Sequence, residues 1–129
     1  HVMRRLAAPA LACLAAGMLA GCVTTYTPDM LLAEGRRVEF QAKQDPAVAA
    51  GCIARNIENA RDVFVTSVRA LPDNAHEITV RAPIAKLSGF FMLIQVAPAK
   101  AGSAVVVWLQ PRFSKEAGDD FIAAQIAGC

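Results

Sequence analysis

The chain has 129 residues, 55% of them hydrophobic and 19% charged, with 13 Lys+Arg against 11 Asp+Glu. That length suits one domain with a modest core. A formal net charge of only +2, with no basic run carrying interleaved aromatics, gives no support to nucleic-acid binding, and none is expected.

From Met3 the chain reads MRRLAAPALACLAAGMLAGC. Arg4 and Arg5 form a positive start, Leu6 to Leu19 is an uncharged apolar run, and Ala20 and Gly21 are small residues before a cleavage point. The run is shorter than the roughly 20 residues of a spanning helix, so the pattern is that of a secretory leader. His1 and Val2 read as additions in front of a natural-looking start. The ending Leu19-Ala20-Gly21-Cys22 resembles the lipobox of bacterial lipoproteins. That resemblance covers Met3 to Cys22. It implies a diacylglycerol on the Cys22 sulfur, removal of residues 1–21 and acylation of the new amino group. Several acyl chains anchor a protein stably where one does so only marginally, so the partner expected at Cys22 is a membrane. Val23 stands where inner-membrane retention calls for aspartate, which by the same resemblance implies the outer membrane of a bacterial envelope. The domain would then lie in the periplasm or at the cell surface.

Removal of residues 1–21 leaves 108, with 11 basic residues against 11 acidic, so the positive balance belongs to the leader. Residues 22–35 read as the lipidated cysteine and a polar tether, in which PDMLLAEG starts a brief helix. Residues 36–129 read as a single domain. In RVEFQA (37–42), Val38 and Phe40 share one face and Glu39 and Gln41 the other, as in a strand. Asp45 and Pro46 suit a helix start. Val48, Ala49, Cys52, Ile53, Asn56, Ile57 and Ala60 then recur at helical spacing, so the buried stripe is expected to include Cys52.

After Arg61 the period becomes two. VFVTSVRAL (63–71) is strand-like, and Pro72-Asp73-Asn74 make a turn. HEITVRA (76–82) sends Ile78, Val80 and Ala82 inward. LSGFFMLIQVA (87–97) and AVVVWLQ (104–110) follow as two further strands. The closing segment SKEAGDDFIAAQIAGC reads as a helix capped by Ser114, with Ala117, Phe121, Ala124 and Gly128 on its buried side and Ile122 and Ile126 alongside. The expected fold is α+β: an antiparallel sheet of four to five strands with two helices packed on one face.

Four cysteines are present. Cys13 leaves with the leader and Cys22 takes the lipid, so Cys52 and Cys129 form the one possible pair in a compartment where disulfides persist. Such a bridge would tie down a chain end and make the two helices neighbours. The alternative is two free thiols acting as a redox or metal pair, for which no Cys-x-x-Cys exists.

Two strands break the expected alternation. With Phe90, Met92, Ile94 and Val96 inward, Phe91 and Leu93 face the other way. With Val105, Val107 and Leu109 inward, so do Val106 and Trp108. Phe91, Leu93, Val106 and Trp108 therefore form a candidate interaction face. The MLLAEG segment, a second copy, an envelope protein, or a lipid or other apolar ligand are the alternatives for covering it, and a further one is that both strands are central and buried on both sides.

Nothing in the sequence marks an enzyme, a cofactor site or a metal site. Ser67, Ser88, Ser103 and Ser114 lack a Gly-x-Ser-x-Gly frame. His76 follows a turn, and Asp119-Asp120 fit solvation of a helix start. Asp73-Asn74 lack calcium-loop spacing, and Ala101-Gly102-Ser103 lack the rest of a phosphate loop. The expected function is a non-enzymatic, membrane-anchored interaction or structural module, with a periplasmic carrier of an apolar ligand as the alternative.

Overall fold

Five strands make one antiparallel sheet in this computed structural model, which describes residues 25–82 and 89–129. The expected leader, Cys22 and the 83–88 link lie outside those residues. Helix α1 (Pro28–Glu34) precedes strand β1 (Arg36–Ala42), and helix α2 (Pro46–Ala60) follows it. Strands β2 (Val65–Ala70), β3 (His76–Arg81), β4 (Phe90–Pro98) and β5 (Ser103–Leu109) come next, then a π-helical turn (Glu116–Asp120) and helix α3 (Phe121–Ile126). The strand order is β1-β5-β4-β3-β2. β2 to β5 form the expected meander, and β1 adds to β5 at the far edge. α2 therefore carries the chain across the whole sheet, from one edge to the other.

The turns follow local chemistry. Asp73 and Asn74 both adopt positive φ, 62° and 60°, which the short β2–β3 hairpin requires. Gly102, at φ 74° in the β4–β5 turn, lets the hairpin approach the main chain of Ala42 and Lys43, whose carbonyl oxygens a side chain would strike. Pro46 starts α2 as expected, while Asp45 makes no side-chain cap and instead accepts the Ala49 amide through its backbone carbonyl, at 2.8 Å.

α2 and α3 cover one face. Ala49, Ala50, Ile53, Ala54 and Ile57 of α2 are buried against Ile78, Val80, Met92, Ile94, Val96, Val105, Val107 and Leu109, with Ile122 and Ile126 of α3 completing the core. Full burial of each large aliphatic side chain contributes about 1.5–3 kcal/mol. Two helical stripes differ from expectation. Val48 is 56% exposed and Ala60 is exposed, because the α2 stripe centres on Ala50 and Ala54 instead. In the last segment Ala117, Ala124 and Gly128 are exposed and Phe121 half-buried, while Gly118, Ile122, Ile126 and Cys129 are buried. The π turn shifts the helical phase by one residue, and the two isoleucines bury more apolar area than alanines would. Ser114 does cap this segment, its Oγ accepting the Ala117 amide at 3.1 Å.

α1 packs on β4 and β5 from the opposite side. Residues 28–34, expected to belong to the tether, are thus part of the fold. Thr27 caps α1 by accepting the Met30 amide at 3.2 Å, and Leu31 is fully buried.

Candidate functional site

Cys52 and Cys129 form a disulfide with their Cα atoms 5.9 Å apart, as the cysteine count suggested. Around it α2 and α3 are further joined. The Asn56 amide donates to the Gln125 carbonyl at 3.0 Å, and the Gln44 amide donates to the Cys129 carbonyl at 2.8 Å. Cys22, the expected lipidation site, lies outside the described residues.

The four residues of the expected interaction face separate. Pairing between β3 and β4 shifts register at Val80 and Arg81: Val80 pairs with Met92, and Arg81 with Phe90. That bulge gives Phe91 no partner of its own and turns it to the face of α2 and α3. There it is 3% exposed and meets Phe64 and Phe113 edge to face, at centroid distances of 5.4 and 5.3 Å. Phe91 is core, and its place on the interaction face is corrected. Leu93 remains on the opposite side but is fully buried on the sheet region that α1 covers, so it too offers no contact surface.

Val106 and Trp108 stay half-buried on the strip of β1 and β5 that α1 leaves open. Arg37, paired with Trp108 across the strands, places its guanidinium 5.9 Å from the centre of the ring. Its Nη1 also meets Glu39 Oε1 at 2.9 Å, so an exposed cation lies between a carboxylate and an indole. Next to this cluster lies an open depression of about 480 Å³ lined by Glu39, Phe40, Gln41, Ala104, Val105 and Val106. A smaller groove of about 250 Å³ runs beside α1 between Pro28, Phe90, Ser67, Thr79, Arg69 and Glu77. In it Arg69 Nε donates to Glu77 Oε1 at 2.8 Å, which holds the arginine above its ordinary pKa and pairs a nearly buried carboxylate.

The acidic pair has structural partners. Arg36 binds Asp119 through Nε, at 3.1 Å, and through Nη2, and its Nη1 donates to the Phe113 carbonyl at 2.8 Å. Lys115 meets Asp120 at 3.2 Å. The two carboxylates thus fasten the π turn to β1 and to its own start rather than converge on a site. Among the described residues no group of three or more His, Cys, Asp or Glu could hold a metal ion. Among them, too, no helix is long and apolar enough to cross a membrane.

Three contacts escaped the sequence reading. Arg36 and the Arg69–Glu77 pair leave no local signature. The third had one: Gly89 inside an apparent strand signals a close backbone approach. At φ 99° it faces Thr25, and the Phe90 amide donates to the Tyr26 carbonyl at 3.0 Å. Neither family models nor curated proteins nor solved structures give a match to the chain.

Proposed function

We propose that the chain is a bacterial envelope lipoprotein, moored through acyl chains on Cys22, whose domain works without catalysis by offering the open β1–β5 strip to a partner protein. The Cys52–Cys129 crosslink carries this reading. Disulfides persist outside the cytoplasm, and the leader ending at Leu19-Ala20-Gly21-Cys22 is of the type that sends a chain there and lipidates it. Val23 favours the outer membrane. The strip suits a contact because it sets an arginine beside a half-exposed indole, two of the residue types that dominate binding energy at interfaces. The engagement of Asp119 and Asp120 in ion pairs supports a structural part for the acidic pair.

A carrier of an apolar ligand is the second reading. The depression beside Val106 has the volume of a ligand site, but Glu39 and Gln41 line it and it lies open to solvent.

Intact-mass measurement of protein taken from its host's membranes tests the anchor. The expected species lacks residues 1–21 and carries acyl chains on Cys22; a full-length chain without acyl groups overturns the reading. Crosslinking in the same membranes tests the strip. Trp108→Glu should abolish a crosslinked species while the domain still unfolds cooperatively. A species that survives the substitution overturns the choice of this face.

A further inference from the structure

The segment after Cys22 was expected to be a loose tether, and it is instead fastened to the sheet almost at once. The Phe90 amide holds the Tyr26 carbonyl, Gly89 leaves room for Thr25 where a Cβ would approach its methyl to 2.9 Å, and Leu31 seals α1 onto β4 and β5. Three peptide units separate Thr25 from Cys22, a reach of at most about 11 Å. A chain anchored at Cys22 therefore has its domain tied to the anchor at one end of the sheet: the start of β4, the start of β1 and the finish of β3 and β5.

The two ends of the sheet differ in surface. The tied end presents Tyr26, the chain's one tyrosine, together with Leu32, which is 42% exposed on the helix crossing that end. The opposite end presents the Pro72-Asp73-Asn74 turn, Lys100 and Asp45, all exposed, with Val48, 56% exposed, as its large apolar residue and, among the described residues, no aromatic beside it. Tyrosine and leucine at headgroup depth gain from burying apolar area while the phenol stays wet. Charge at the tied end is mixed: exposed Arg81 and Arg112 stand near exposed Glu34 and Glu116. Among the described residues, then, the tied end offers no one-signed patch for anionic lipid.

We propose that the tied end of the sheet rests on the bilayer surface and that the domain stands upright from it. The inference rests on the lipid anchor read at Cys22. The nine residues of β4, at roughly 3.4 Å each, then lift the β4–β5 turn about 30 Å above the membrane. The β1–β5 strip runs up the side of the molecule, open to a partner in the surrounding space.

Trp108, the chain's one tryptophan and one residue from the tied end of β5, is a native reporter. Protein purified from host membranes is placed in phosphatidylcholine vesicles whose headgroups carry a nitroxide quencher, and its mass is read on the same sample. Trp108 should lose most of its emission. In a Trp108→Phe, Lys100→Trp variant the emission should survive, and adding anionic lipid should change neither result. A flexible spacer of about ten residues inserted between Val23 and Thr24 should remove the contrast. Equal quenching of the two reporters, or stronger quenching at residue 100, in an acylated protein overturns the upright seating and leaves the lipoprotein reading intact. A chain without acyl groups overturns the lipoprotein reading itself, and the seating falls with it.

Discussion

The two faces of the sheet are built from the same kind of strand and end up in opposite states. One lies under α2 and α3, which are locked to each other by the Cys52–Cys129 bridge and Asn56. Among the described residues the other is covered where α1 crosses β4 and β5, and beyond that Val106 and Trp108 stay half-exposed. Apolar residues alone thus do not make a core. What separates the faces is the length of helix available to cover each: 15 residues in α2 against seven in α1.

The largest effect should come from undoing the lock on the covered face. The bridge joins residues 77 positions apart, and the loop-entropy relation gives such a link roughly 4–5 kcal/mol. Cys129→Ser should lower the unfolding free energy in urea by about that amount, and reducing the wild type should reproduce it. The sharpest comparison pairs Phe91 with Trp108, which simple alternation would put side by side. Phe91→Ala should cost about 3–5 kcal/mol, as for a filled core aromatic, and Trp108→Ala only about 1 kcal/mol, as for a half-exposed position. Equal costs would erase the distinction between the faces.

Arg36→Ala should cost about 1.5 kcal/mol, the low end for charge-assisted bonds because a third of the side chain remains in solvent. Faster amide exchange in Glu116–Asp120, with the strands unchanged, is the expected signature. The smallest effect concerns Glu58. Its carboxylate accepts the Thr66 amide at 2.9 Å and the Thr66 hydroxyl at 2.8 Å, the amide bond first among the causes that hold its pKa below the ordinary 4.5. A depressed folded-state pKa adds stability that is fully present above the unfolded value and is lost as pH falls through the folded one. Urea midpoints of wild type and Glu58→Gln should therefore differ slightly at neutral pH and converge as pH falls through the lowered pKa of Glu58.

Much of this architecture is legible in the residue pattern. Alternating or continuous apolar runs mark all five strands, Pro46 marks the start of α2, Asp73-Asn74 mark the hairpin, and the cysteine count marks the bridge. The failures have a common physical cause. Alternation assumes an uninterrupted ladder, and the bulge opposite Val80 and Arg81 moves Phe91 from one face to the other without any change in local composition. Helical spacing assumes 3.6 residues per turn, and the π turn at Glu116–Asp120 displaces the buried row from Ala117 and Ala124 to Ile122 and Ile126. Arg36 clasps a segment 83 positions away, a pairing that only the folded chain brings about.

A strand at the margin of a sheet offers its unused amides to any chain that drifts alongside, which is how soluble domains come to stack into fibrous aggregates. β2 is such a margin. The amide of Thr66 there is already taken by Glu58, and a charged group now sits where an incoming strand would need to lie. Acid that neutralises this carboxylate would weaken the guard at that border.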